Sequence, residues 1–223
     1  MIIVPVTLRP RTLAIFAVLA LATLLPAHGF DHNPPPTTGD ASTYPANDSH
    51  PDEHVVIAAD PCDTHEKCKF FRVDYLKFGF IPIRLIVTNN GEKPISLSDA
   101  RIHLISAAGD KIQAAEPEDI DRRSNAPGNV KKSIPLPAPL PPIRRKPGSH
   151  NKEIDEDFKE QEYSAIAVEP HTTRAGYLFY DVSELGNQPL RGAKLYLRML
   201  RGADGKELFY FEIPFDKYLS AQK

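Results

Sequence analysis

The chain has 223 residues, and its 27 basic and 29 acidic side chains give a formal net charge of −2. This near-neutral balance argues against the bulk attraction to nucleic acid that a strongly basic domain has. The chain contains 22 prolines, two cysteines and no tryptophan. Because many prolines fall in two segments, we expect a core smaller than the length implies, in one folded domain.

The N-terminus has the pattern of an export signal. Arg9 and Arg11 precede an uncharged apolar run over residues 12–25, and a small-residue site follows at 27–29. These are the three regions of a secretory signal peptide, which we place at residues 1–29. The alternative is an uncleaved membrane anchor, although the run is shorter than the ~20 residues that a span needs. The sequence therefore predicts a periplasmic or extracellular protein, with no transmembrane span after cleavage.

The segment that follows the signal has little apolar surface to bury. Residues 30–53 are rich in Pro, Thr, Ser, Asn and Asp. Such a composition cannot offset the entropy cost of ordering, so we predict a disordered tether here. The folded domain is then expected over residues 54–220.

Both cysteines lie in the part of the chain that would be exported. An oxidising compartment favours a disulfide between Cys62 and Cys68, which would close a small loop. The alternative is a metal site in which these cysteines act with His50, His54 and His65. That spacing matches no zinc-ligand framework, so we predict the disulfide and no cofactor.

The first half of the domain shows strands with period-two alternation. A short strand is predicted at residues 55–58, and an apolar cluster at 70–78 is predicted as a buried connection. Apolar side chains then alternate along residues 80–88 and again along 101–105, with a turn sequence, Asn-Asn-Gly, at 89–91. These features predict a β-hairpin at the centre of the fold, which needs a second sheet as its partner layer.

The middle of the chain interrupts the strand pattern. A short returning strand is predicted at residues 111–113, and a helical turn opens at 116–120. After a long insertion, the acids of residues 153–162 are predicted to form the solvated face of a short helix, with Ile154 and Phe158 on its buried face.

The insertion at residues 124–148 is rich in proline and basic residues. Its proline run favours extended polyproline II, a preordered ridge that costs little entropy to bind. It is either a solvated loop, a surface attracted to an anionic polymer, or a segment that docks on a protein partner. The residues selected for docking are Pro137, Pro139, Pro141, Arg144, Arg145 and Lys146.

The last third of the chain returns to strands. Residues 165–168 form a short strand, and residues 176–182 are apolar on both faces, which is typical of a central strand. A hairpin with Asp-Gly at its turn joins residues 194–199 to 208–213, and we expect Phe209 to share a buried face with the alternate residues of that second strand.

The order of these elements resembles immunoglobulin-like domains of exported bacterial proteins of unassigned function. The resemblance covers residues 55–219, with Asn-Asn-Gly after the first long strand and Gly-Tyr-Leu-Phe-Tyr-Asp late in the chain. The chain departs from true immunoglobulin domains in lacking a tryptophan and in having its two cysteines close together. The predicted fold class is all-β: an immunoglobulin-like antiparallel β-sandwich of about seven strands, with one or two short helices in a long middle connection.

The sequence lacks the common catalytic signatures. It has no nucleophile elbow, no phosphate-binding glycine loop and no dinucleotide fingerprint. We therefore predict an exported, non-catalytic binding or assembly module at the cell envelope. Its partner would be a protein or an envelope polymer, bound through the basic insertion or a sheet edge, and not a nucleic acid. The alternatives are a hydrolase of envelope carbohydrate that uses paired carboxylates, and a metal-binding module near residues 50–68.

Overall fold

The computed structural model describes residues 34–126 and 151–222, and in these ranges the chain is mostly β-structure. The strands are β1 (Asn47–His50), β2 (Val55–Pro61), β3 (Phe80–Asn89), β4 (Ile95–Ser96), β5 (Arg101–Ile105), β6 (Lys111–Gln113), β7 (Ala167–Val168), β8 (Thr172–Asp181), β9 (Lys194–Arg198) and β10 (Phe211–Pro214). The helices are α1 (His65–Cys68), α2 (Pro117–Ser124), α3 (Lys152–Gln161) and α4 (Asp216–Ala221), with 3₁₀ turns at Ala41–Thr43 and Tyr75–Phe78. The prediction of an all-β chain is confirmed.

The strands form two four-stranded antiparallel sheets and one short pair. The order in the first sheet is β1-β2-β3-β8, the order in the second sheet is β10-β9-β5-β6, and β4 pairs with β7. Alternate side chains of both sheets meet in one buried cluster, to which β3 contributes Leu85, β5 contributes Leu104 and β9 contributes Leu195 and Leu197. The two sheets therefore pack on a shared core, as side chains that alternate along each strand allow.

The central hairpin predicted from residues 80–105 is wrong. β3 pairs with β2 and β8 in the first sheet, whereas β5 pairs with β6 and β9 in the second. All ten residues of β3 are buried, so this strand needs neighbours on both sides. Period-two alternation shows that one face of each strand is buried, but it does not choose the partner strand.

The strand at residues 176–182 does not lie at the centre of its sheet, as its two apolar faces predicted. β8 ends the first sheet. Its outward side chains are covered by other elements: Phe179 stacks on Phe158 of α3 at 4.3 Å between ring centroids, and Tyr177 contacts Phe71 edge-on at 5.1 Å. The second apolar face of β8 is therefore buried under α3 and the buried connection.

A disordered tether was predicted at residues 30–53. This prediction is wrong for Ala41–Thr43 and Asn47–His50, which form a 3₁₀ turn and β1. β1 pairs with β2, and Ala41 and Ala46 are fully buried. Arg84 points outward from β3 but is only 5% exposed, and its guanidinium donates to the main-chain oxygen of Pro36 at 2.8 Å. The segment is ordered by β-pairing and by hydrogen bonds to a buried cation, neither of which its polar composition reveals.

Helix α3 forms where the acidic segment predicted it, with Ile154 and Phe158 buried. One acid of the predicted solvated face is instead completely buried. Asp157 accepts hydrogen bonds from the main-chain N–H groups of Arg72 and Val73 at 3.0 and 3.2 Å. The Tyr75 hydroxyl and the Arg72 guanidinium also donate to it, at 3.0 and 3.1 Å. The Asp157 carboxylate therefore bonds helix α3 to the buried connection at residues 70–78.

Burial, followed by the charge of Asp157 and its hydrogen bond, raises the pKa of Tyr75. The phenol therefore remains a protonated donor at any ordinary pH.

We expect Asp157→Ala to lower the free energy of unfolding by about 3–5 kcal/mol, because it leaves the N–H groups of Arg72 and Val73 and the Tyr75 hydroxyl without their acceptor. The Arg72 guanidinium keeps its bonds to Glu160. Asp155→Ala, an exposed acid on the same helix, is the matched control and should cost less than about 1 kcal/mol. Urea unfolding followed by circular dichroism measures both values. Equal losses in the two variants would contradict the structural role of Asp157.

Candidate functional site

The outer faces of the two sheets differ in what covers them. On the first sheet, Val56 and Ile86 pack against Ala41 and Tyr44 of the N-terminal segment, and β8 packs against α3 and the buried connection. In the described part of the chain, neither of these two outer clusters includes a residue of the second sheet. On the second sheet, among the described residues, the side chains of Arg101, Lys111, Gln113 and Arg198 are exposed.

Strand alternation decides which side chains lie on this outer face. Leu104 of β5 and Leu195 and Leu197 of β9 point into the core, so their strand neighbours point outward. The register places Arg101 opposite Arg198 and His103 opposite Tyr196. We call this surface the open face; its members are Arg101, His103, Ile105, Lys111, Gln113, Lys194, Tyr196, Arg198 and Glu212.

The open face has more positive charge than its own acids can pair. Lys194 Nζ lies 2.7 Å from Glu212 Oε1. Within residues 34–126 and 151–222, Arg101, Arg198 and Lys111 have no carboxylate oxygen within 4.0 Å. Arg101 and Arg198 are exposed and directly opposite each other in an antiparallel pair, an arrangement of like charges that costs stability.

The effect of these cations is visible at His103. Partial burial, and then the positive charges of Lys111, Arg198 and Arg101, lower the pKa of its imidazole below the ordinary value. The ring is therefore uncharged at neutral pH. At that pH the positive charge of the open face comes from its arginines and lysines, arranged around a neutral centre.

Aromatic rings continue from the open face toward β10. The ring centroids of Tyr196 and Tyr210 are 5.5 Å apart, and Tyr210 stacks on Phe209 at 4.4 Å. Phe209 is 62% exposed and Tyr210 is 42% exposed. The prediction that Phe209 shares a buried face with Phe211 is wrong, because regular pairing of β10 begins only at Phe211. Phe209, Tyr210 and Tyr196 form an aromatic row beside the cations.

Side chains from β1 and the turn after it cover the free edge of β10. The N–H of Glu212 donates to Asp48 Oδ2 at 2.9 Å, and the N–H of Phe209 donates to Glu53 Oε1 at 2.7 Å. His50 lies between these two acids, with its ring nitrogens 3.4 Å from Asp48 and 3.0 Å from Glu53. Its ring stacks on Phe211 at 3.9 Å.

Main-chain groups of β8 are also occupied. The N–H of Ala115 donates to the oxygen of Phe179 at 2.7 Å, and the N–H of Tyr163 donates to the oxygen of Tyr177 at 3.0 Å. A Cβ atom at Gly176 would lie only 2.4 Å from Tyr163 Cα, so only glycine allows this close approach. These contacts occupy backbone groups that docking of an extended partner at a sheet edge would require.

A cleft of about 770 Å³ lies at one end of the shared core. Asp63 and Asp216 are the acids that line it. The Tyr218 hydroxyl donates to Asp63 Oδ1 at 2.6 Å, and the N–H of Gly192 donates to Asp216 Oδ1 at 3.3 Å. Both carboxylates thus accept hydrogen bonds that hold the fold together. The hypothesis that a pair of carboxylates hydrolyses envelope carbohydrate therefore stays a prediction.

The residues selected from the sequence have different outcomes. The disulfide predicted between Cys62 and Cys68 is present, and it joins the end of β2 to α1. In the described residues, no three His, Cys, Asp or Glu side chains are grouped as metal ligands. His65 lies 3.3 Å from Asp74, and His54 is an exposed turn residue. Pro137, Pro139, Pro141, Arg144, Arg145 and Lys146 lie outside the described residues.

Sequence reasoning did not identify the open face. The available signal was the polar set that alternates with leucine along β9, Lys194, Tyr196 and Arg198. Such a set is ordinary for any half-buried strand. Only the pairing of β9 with β5 brings Arg198 opposite Arg101.

No helix in the described ranges is both long and apolar enough to cross a bilayer.

We expect Arg198→Gln to raise the free energy of unfolding by about 0.2–1 kcal/mol at low salt, because it removes the like-charge pair with Arg101. The gain should shrink in 1 M NaCl, where the screening length is about 3 Å. Arg122→Gln is the control, since its guanidinium lies 3.1 Å from Asp119 and its removal should give no gain. Urea unfolding at both salt concentrations measures the effect, and a destabilised Arg198→Gln protein would contradict this account.

Comparison of the chain with protein-family models, with curated proteins and with solved structures gave no match. The likeness to immunoglobulin-like domains therefore still depends on the pattern of elements in the sequence.

Proposed function

We propose that this chain is an exported, non-catalytic binding or assembly module at the cell envelope, built on an immunoglobulin-like sandwich. The export pattern of residues 1–29 supports the location, and the two antiparallel sheets on a shared core support the fold. The observation that carries the binding role is the cross-strand pair of Arg101 and Arg198, for which the described residues provide no carboxylate.

An anionic partner would remove the electrostatic cost of this pair. Two arginines on neighbouring strands can each present a planar fork to a carboxylate or phosphate group, which arginine binds with two parallel hydrogen bonds. Local rules of stability are often broken where a protein functions, and a pair of like charges is such an exception. The partner expected on the open face is therefore acidic.

The basic insertion is a second proposed contact for the same kind of partner. Arg144, Arg145 and Lys146 have the charge sign of the open face, and the proline run before them is predicted from the sequence to favour preordered polyproline II. An acidic partner would be attracted to both regions.

Binding of the full exported chain to immobilised polyanions tests the proposal. With polygalacturonate and poly-L-glutamate as probes, the Arg101→Gln/Arg198→Gln variant should bind about tenfold to a hundredfold more weakly than the parent, since a hydrogen bond to a charged group contributes about 1.5–3 kcal/mol. Affinity should fall as salt is raised. Biolayer interferometry gives both dissociation constants.

The matched control for this experiment is Arg122→Gln/Lys152→Gln. It removes the same charge from two exposed positions outside the open face, each of which already has an acidic partner. Its affinity should match that of the parent. Undiminished binding of both polyanions by the Arg101→Gln/Arg198→Gln variant would overturn the role of the open face.

Expression of the full chain in a bacterial host tests the location. We expect a mature protein in the periplasmic or extracellular fraction, with its N-terminus directly after Gly29. Replacing Arg9 and Arg11 by Glu should slow export, because the signal needs a positively charged start. N-terminal sequencing and cell fractionation are the measurements. A full-length chain in the membrane fraction would support the uncleaved anchor instead.

A further inference from the structure

We propose that the open face binds an anionic polysaccharide, with its arginines and lysines pairing the acidic groups and with Tyr196 and Tyr210 contacting the sugar rings between them. This inference rests on the proposed function and names the chemical class of the partner. It follows from the spacing of the cations, the exposed aromatic row and the occupied edge of β10.

The cations of the open face lie in two rows on either side of its centre. Arg198 and Arg101 form one row, and Lys194 and Lys111 flank Ile105 in the other. The two rows are four positions apart along β9, a distance of about 14 Å between Cα atoms. Lys194 already pairs with Glu212, so a small anion bound beside the two arginines would leave Lys111 without a carboxylate in the described residues. An extended chain with repeated acidic groups can reach both rows.

Between these rows lies a middle row that holds Tyr196 and the neutral His103, flanked by Gln113 and by Glu212, which pairs with Lys194. Tyr196 lies in the middle row opposite His103, and the rings of Tyr210 and Phe209 continue from it toward β10. A sugar ring has an apolar C–H face and a polar rim of hydroxyl groups. Such a face packs on an aromatic ring, while tyrosine hydroxyls and Gln113 can hydrogen-bond to the rim. The face thus combines charge pairing with ring stacking.

Other anionic polymers fit these observations less well. Nucleic acid has a high density of phosphates, whereas this chain has a net charge of −2 and only a local excess of cations on the open face. An acidic peptide would bind best as an added strand, but side chains of β1 and its turn already bind N–H groups on the free edge of β10. A polysaccharide of low charge density, with sugar rings between its acidic groups, suits the two rows and the rings.

The test compares four probes on the full exported chain: polygalacturonate, its methyl-esterified neutral form, poly-L-glutamate and a single-stranded oligothymidine. At equal charge concentration, we expect polygalacturonate to bind at least about tenfold more tightly than poly-L-glutamate or oligothymidine. Methyl esterification should abolish most of the binding, because it removes the groups that pair with the arginines. Biolayer interferometry measures each affinity.

Tyr196→Leu/Tyr210→Leu is the specific variant, because it keeps apolar bulk and removes the rings. It should reduce the preference for polygalacturonate over poly-L-glutamate to within about twofold and leave poly-L-glutamate binding unchanged. Ile166→Ala is the control, an apolar residue that is 72% exposed and lies outside the open face; it should keep the full preference. Urea unfolding verifies that each variant is folded.

The outcomes separate this inference from the proposed function. Equal binding of polygalacturonate and poly-L-glutamate by the parent chain would overturn the polysaccharide assignment and leave an acidic partner in place. Tightest binding of oligothymidine would overturn it in favour of nucleic acid. Binding of none of the polyanions would overturn both proposals.

Discussion

The arrangement of the described chain depends on one strand, β3, that is buried along its whole length on both faces. Alternate side chains of β3 build the core shared by the two sheets, while its buried polar side chains need hydrogen-bond partners away from water. Arg84 donates to the main chain at Pro36, and Thr88 Oγ1 accepts from the N–H of Ala41 at 2.9 Å. Asn89 donates to the main-chain oxygen of Val168 at 3.0 Å. Residues distant in sequence are thereby held against the first sheet.

The two sheets differ in how their outer faces are covered. The first sheet is covered on its outside by the N-terminal segment and by α3, which Asp157 fastens to the buried connection. The second sheet, in the described part of the chain, buries only its inner face. Edges of both sheets are partly closed, at β10 by Asp48 and Glu53 and at β8 by main-chain contacts. Among the described residues, the open face is consequently a sheet surface whose cations and rings are exposed to a partner.

The electrostatics of that surface give it a chemical preference. Arg101 and Arg198 face each other across neighbouring strands, and partial burial followed by the nearby cations lowers the pKa of His103, so its ring is uncharged at neutral pH. Tyr196 separates these arginines from a second pair of cations, one of which Glu212 already neutralises. The cost of unpaired like charges and the presence of exposed rings favour a ligand that is both anionic and able to stack.

Local patterns in the sequence determined the secondary structure well. The strands near residues 55, 80, 101, 111 and 194, the helix that carries Ile154 and Phe158, and the disulfide between Cys62 and Cys68 all form where the sequence predicted them. These features depend on neighbouring residues, because side-chain alternation, helical periodicity and a short loop are properties of the local backbone. The tertiary structure alone decided that β3 and β5 belong to different sheets, that Asp157 is buried and that Arg198 meets Arg101. Those outcomes depend on which distant strands pair and in what register, and a periodic pattern is the same for every partner that could bury it.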